Sequence, residues 1–108
     1  MHAFGVASVV EKLRAAGGGY EIVHESPGVE LGVYVLVAPE PDKQQPHEDD
    51  EIYVVLEGEG ILQVEGTDVP MKIGDAVFVE AGADHRFVAY EQLAVLVLFE
   101  RGSGSRDG

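Results

Sequence analysis

An all-β fold of antiparallel strands, a sandwich or barrel preceded by a short helix, is what this chain predicts, and three observations carry it. Residues 20–100 fall into runs rich in β-branched and aromatic residues, turn signals recur about every eight to twelve residues between them, and only one segment has helical periodicity. Regular turns at that spacing mark a sandwich or barrel rather than an open α/β sheet.

The helix is expected near the N-terminus. Ser8 is placed to cap it, Val9, Val10 and Leu13 share one side, and Gly17 to Gly19 end it. Everything after reads as strand. "YEIVHE" alternates weakly, "VELGVYVLVA" is a long β-branched run, and "EIYVVLEGEGILQVEGTDVPM" predicts a hairpin turning near Glu57 to Gly60, with a second turn at Gly66 to Asp68. "DAVFVEAGADHRFVAYEQLAVLVLFE" predicts three more short strands, separated by Ala81 to Asp84 and by Ala89 to Gln92. The domain division is a helix and glycine-rich turn over 1–19, a β-domain over 20–100, and a polar tail over 101–108 with no apolar residue to dock it, expected to be disordered.

At 108 residues and 45% hydrophobic content the chain suits one domain and one function-bearing site. The net charge of -13 repels polyanions over most of the surface, so nucleic acid is excluded as a partner class. Cysteine is absent, which removes disulfides and thiolate metal sites. The first residues lack a charged region followed by a long apolar core, and "LAVLVLF" is too short to span a bilayer, so the expectation is a cytoplasmic protein with no membrane partner.

The stretch "QQPHEDDEIYVVLEGEG", Gln44 to Gly60, sets one histidine among carboxylates at the mouth of a strand. If it is extended, Gln45, His47, Asp49, Glu51 and Tyr53 share one face, which therefore carries imidazole and carboxylate together. A divalent ion needs several such ligands converging at about 2.0 to 2.2 Å, and one strand cannot supply them all. His85 in "GADHRF", after a glycine turn, is the natural second supplier. His47, His85 and a carboxylate, Glu51 or Asp49, would make a two-histidine, one-carboxylate set. His24 has no ligand pattern around it and reads as a strand-surface or packed histidine.

These residues resemble the two motifs of the cupin family, G(x)5HxH(x)3-4E(x)6G and G(x)5PxG(x)2H(x)3N. His47, Glu51 and Gly58 match the first motif in spacing, and Gly74, Gly82 and His85 match the second. Gln45 stands where the family's first metal histidine would be, Pro39 replaces an opening glycine, Glu80 replaces the proline, and Ala89 the final asparagine. The resemblance implies an antiparallel jelly-roll β-barrel holding one divalent metal ion, Fe, Mn, Ni or Zn, on His47, Glu51 and His85, with Gln45 as a weak fourth ligand or a bystander. It implies a metal-dependent small-molecule enzyme of the dioxygenase, hence oxidoreductase, type, acting on an oxygenated organic substrate. A non-catalytic metal- or small-ligand-binding module is the alternative, and a member without metal a third. Tyr53, Phe78 and Phe87 are expected as barrel filling that could line a substrate pocket, with Arg86 available to steer an anion. The runs "VELGVYVLVA" and "LAVLVLF" are apolar on both faces, more than one thin wall needs. A homodimer burying the outer faces would account for that surplus, and so would the N-terminal helix folding back over the sheet.

Overall fold

The computed structural model describes residues 1–43 and 48–101. Gln44 to His47 and the tail from Gly102 lie outside them. The elements are α1 (Val6–Ala15), β1 (Gly19–Ser26), β2 (Val29–Val37), β3 (Asp50–Val64), β4 (Thr67–Lys72), β5 (Ala76–Val79) and β6 (His85–Glu100). All strand pairs are antiparallel, in the order β1-β2-β6-β3-β4, with β5 also on β3. This is the all-β, jelly-roll class expected.

Two expected turns are not turns. β3 runs unbroken through Glu57 to Gly60, and β6 runs unbroken through Ala89 to Gln92. The two segments face each other, Gly58 against Leu93 and Gly60 against Tyr90, where the ladder shifts register. Gly58 has φ +79, and a Cβ on it would collide with the carbonyl oxygen of Gln92. Glycine here lets two long strands approach and bend together at a bulge, so the local turn signal marks a barrel corner. The hairpin itself closes at Glu65 and Gly66, close to the second turn expected.

The helix start also differs. Gly5 is the N-cap, with no side-chain cap, and Ser8 sits inside the first turn, its hydroxyl donating back to the Gly5 carbonyl at 2.8 Å. At the other end Gly17 (φ +88) donates its N–H to Arg14 at 3.0 Å and Gly18 donates to Leu13 at 2.8 Å, the paired bonds of a Schellman cap.

Alternation then sorts the strands into two apolar layers. Val10 of α1 packs with Val33, Val35 and Ala94 on the outer face, flanked by Val9, Leu13, Val23 and Leu96. The inner layer holds Leu36, Val55, Leu62, Phe87, Val95 and Val97 around Tyr53. The helix therefore covers part of the outer face within the same chain, while Ile52 and Phe78 on that face stay exposed. Among the described residues no helix is long and apolar enough to cross a membrane.

Candidate functional site: a buried histidine–carboxylate pair under an acidic aromatic cavity

The strand register builds the site row by row. Glu30 of β2 opposes Phe99 of β6, which opposes Glu51 of β3, so these three stand side by side across the sheet. The next inward row is Gly32, Val97 and Tyr53. Because Gly32 has no side chain, the ring of Tyr20 from β1 lies across it, in the space a Cβ would occupy.

His85 opens β6 and reaches the same spot from the opposite end of the sequence. Its Nε2 is 2.7 Å from Glu51 Oε1 and 3.1 Å from the Tyr53 hydroxyl, and its Nδ1 is 2.8 Å from the Ala83 carbonyl oxygen. A carbonyl only accepts, so Nδ1 carries a hydrogen and Nε2 is the atom turned toward Glu51. Two lone pairs at 2.7 Å would repel, so a positive centre, a proton or a metal ion, belongs between Nε2 and Oε1. Burial by itself lowers the His85 pKa, but the hydrogen bonds to Glu51 and Ala83 and the nearby carboxylates outweigh it and the net shift is upward.

Glu51 is only 2% exposed, and its second oxygen, Oε2, has no hydrogen-bond partner among the described residues. An orphaned buried carboxylate oxygen is costly, about 1 to 3 kcal/mol or more. That cost and the fixed His85 tautomer both fit a metal ligand set. Among the described residues no three His, Asp or Glu side chains converge as a full cage, and the other expected ligands, His47 and Gln45, lie outside those residues.

A cavity of about 290 Å³ opens beside the pair, lined by Glu51, Tyr53, Tyr20, Tyr34, Glu30, Asp49, Val97 and Phe99. A larger open groove, about 1300 Å³, passes Ala38, Gly58, Pro70 and Tyr90. Neither Glu51 nor His85 lines it, so chemistry rather than size marks the site.

Of the pocket residues expected, Tyr53 lines the cavity. Phe87 is buried against the Tyr53 ring, at 5.3 Å between centroids, and fills core instead. Phe78 is 59% exposed, because it opposes Ile52 and so falls one residue out of phase with Glu51 and Tyr53. Arg86 alternates outward from His85, is exposed, and does not line this cavity. Asp49, the rival carboxylate, lines the cavity on the same face as Glu51, as alternation requires. His24 packs on Phe4, away from the site, at 5.4 Å between centroids.

Sequence reasoning missed Glu30, Tyr20, Tyr34 and Phe99. The signal was present in β2, where Glu30, Gly32 and Tyr34 recur with period two inside a run that reads as uniformly apolar. It also missed Asp42, which is 5% exposed and accepts from the Tyr34 hydroxyl at 2.7 Å and from the Phe87 N–H at 2.8 Å. Asp42 ties the start of the His47-bearing segment to two strands. Nothing in "PEPDKQQP" separates it from a solvated charge. Burial first, and then the hydrogen bonds to Asp42 and Glu30, raise the pKa values of Tyr34 and Tyr20, so both phenols stay protonated donors.

A small antiparallel jelly-roll β-barrel, with a buried histidine–carboxylate pair beside an inward cavity, is the class this fold defines. The Cupin domain family matches residues 33–99, more than half of the chain, and the chain belongs to that family. It is 33% identical over 100 residues to an uncharacterised protein of Streptomyces coelicolor, covering 92% of this chain and 95% of that one. It is 42% identical over 53 residues to the oxalate-binding protein of Thermotoga maritima, 44% of each chain. It is 31% identical over 86 residues to the acireductone dioxygenase of Leishmania major, 73% of this chain but 25% of that protein. The solved structure of KdgF from Halomonas sp. superposes with a TM-score of 0.70 at 26% identity, over 78% of this chain and 80% of that one.

Proposed function

We propose that the protein is a metal-dependent cupin enzyme of the dioxygenase type, holding one divalent ion on Glu51 and His85 together with His47 and, more weakly, Gln45. The observation that carries this reading is the buried Glu51 carboxylate, one oxygen facing His85 Nε2 at 2.7 Å and the other orphaned, beside a cavity of small-molecule size. The ion, when bound, would supply open coordination positions for polarising an oxygen group or activating dioxygen. The chain's own residues set the stage for it. The Ala83 carbonyl fixes the His85 tautomer through Nδ1–H, leaving Nε2 as the donor atom. The Tyr53 hydroxyl, 3.1 Å from Nε2, is positioned to hydrogen-bond a substrate oxygen brought beside the pair. Phe99 and Val97 exclude water from one wall.

Elemental analysis of untagged protein tests the reading, followed by oxygen uptake with catechol, flavonol and diketone substrates. Near one equivalent of metal with substrate-dependent uptake supports it. His85→Asn should release the metal, and retention of stoichiometric metal by that variant would remove His85 from the ligand set. Metal without turnover supports the second reading, a small-ligand binding module, which the likeness to an oxalate-binding protein over 53 residues favours.

For assembly we propose a homodimer. The outer row Leu31, Leu98, Ile52 and Phe78 crosses four strands, and Ile52 and Phe78 remain exposed where α1 does not reach. Light scattering at low micromolar concentration decides: a mass near 11.6 kDa, that of one chain, would reject it.

A further inference from the structure

We infer that the cavity beside the Glu51–His85 pair accepts a small organic cation, an ammonium-type group, in preference to a carboxylate. The inference rests on the reading that this cavity is the functional site, and goes beyond it by naming the chemical class of its ligand.

Charge is the first argument. Three acidic side chains, Glu30, Asp49 and Glu51, line the cavity, and no Lys, Arg or His does so among the described residues. Arg101 bonds Glu30 at 2.9 Å, but it also bonds Glu25, so its single charge is spent on a carboxylate outside the cavity as well. The local balance stays negative when His85 is an imidazolium. An anionic ligand would meet repulsion in the metal-free cavity.

Hydrogen bonding points the same way. Tyr20 donates its hydroxyl hydrogen to Glu30 Oε2 at 2.7 Å, and Tyr34 donates to Asp42 Oδ1 at 2.7 Å. These two phenols therefore have no hydrogen left for a carboxylate ligand. Glu51 Oε2, buried and without a partner among the described residues, is an acceptor open to a donor or a positive centre. Apart from the Tyr53 hydroxyl, what the lining offers a ligand is acceptors and rings.

The rings supply the third argument. Tyr20, Tyr34, Tyr53 and Phe99 all line the cavity, and Tyr20 and Tyr34 meet at 77° with centroids 6.2 Å apart. Aromatic rings lining an acidic space attract an alkylammonium through their quadrupoles wherever a face is presented, and need not strip a tightly bound water shell as they would for a compact inorganic cation. A cavity of about 290 Å³ suits a ligand of roughly ten heavy atoms or fewer.

The test compares tetramethylammonium, its neutral isostere tert-butanol, and acetate, each titrated by NMR into metal-free protein. Tetramethylammonium should bind at least about tenfold more tightly than tert-butanol, with acetate weakest. Glu30→Gln and Asp49→Asn should each weaken tetramethylammonium several-fold and leave tert-butanol unchanged, and Tyr20→Leu should weaken the cation more than the alcohol. Two variants guard against the loss of the Arg101 contact in Glu30→Gln. Acetate binding as tightly as the ammonium, or equal binding of the ammonium and the alcohol, would overturn the inference. So would an ammonium affinity unchanged in all three variants. Cation binding by protein that retains no metal would uphold this inference while the metal reading fell. Retained metal with acetate preferred would do the reverse.

Discussion

Two rows of side chains, three residues apart along the same three strands, do opposite work. Val33, Leu96 and Val54 point outward, with Val33 fully buried under α1. Glu30, Phe99 and Glu51 point inward and surround a cavity with carboxylates. The outer layer is dry, apolar and satisfied by packing, whereas the inner one buries a charged pair and leaves an oxygen without a partner among the described residues. A period of two places stability and site on opposite faces of one sheet, so each can be altered with little effect on the other.

The largest effect is expected on the outer face. Val33→Asp would bury an unpaired carboxylate beneath α1 and should cost about 3 kcal/mol or more in a urea titration. A cost under about 1 kcal/mol would mean that the helix is not docked there in solution. Next comes the inner pair. Replacing both members, Glu51→Leu with His85→Leu, removes two desolvated charged groups and should stabilise the metal-free fold by roughly 1 to 4 kcal/mol while abolishing metal retention. A lower melting temperature for that double variant would show that the pair supports the fold, and the contrast between the faces would break.

The pH dependence sharpens the same point. The His85 pKa is higher in the folded than in the unfolded chain, so its stabilisation is complete below the unfolded value of about 6.5 and is lost as pH rises through the folded value. Metal-free protein should therefore melt at lower temperature as pH climbs from about 6, and Glu51→Gln should flatten that slope. A profile unchanged by Glu51→Gln would place its origin elsewhere. The smallest effect is expected at the rim of the helix, where Lys12 pairs with Glu21 in solvent. Lys12→Ala should change stability by less than about 0.5 kcal/mol, and a larger loss would point to packing by its alkyl stem under α1.

The fold and half of the site were legible because they are written locally. Strand runs, turn residues and the spacing of Glu51, Gly58, Gly74, Gly82 and His85 are properties of neighbouring residues, and they sufficed to set Glu51 and His85 in one site and to class the barrel. The glycines of β3 misled as to a turn because a glycine signals a permissive backbone, and only the partner strand decides whether the chain reverses there or bends.

Composition and periodicity by themselves marked an acidic all-β sandwich or barrel in which His85 could meet a carboxylate from a distant segment, and the resemblance to the cupin motifs chose the barrel and Glu51. Tertiary structure alone decided the rest. Glu30 meets Glu51 only through β6, Tyr20 reaches the cavity only because Gly32 is bare beneath it, and Asp42 is a buried anchor only because Tyr34 and the Phe87 amide converge on it. Two of these join segments far apart in the chain, β2 to β3 through β6 and Asp42 to the Phe87 amide. Their register is set by the packing of both faces together, which no single segment contains.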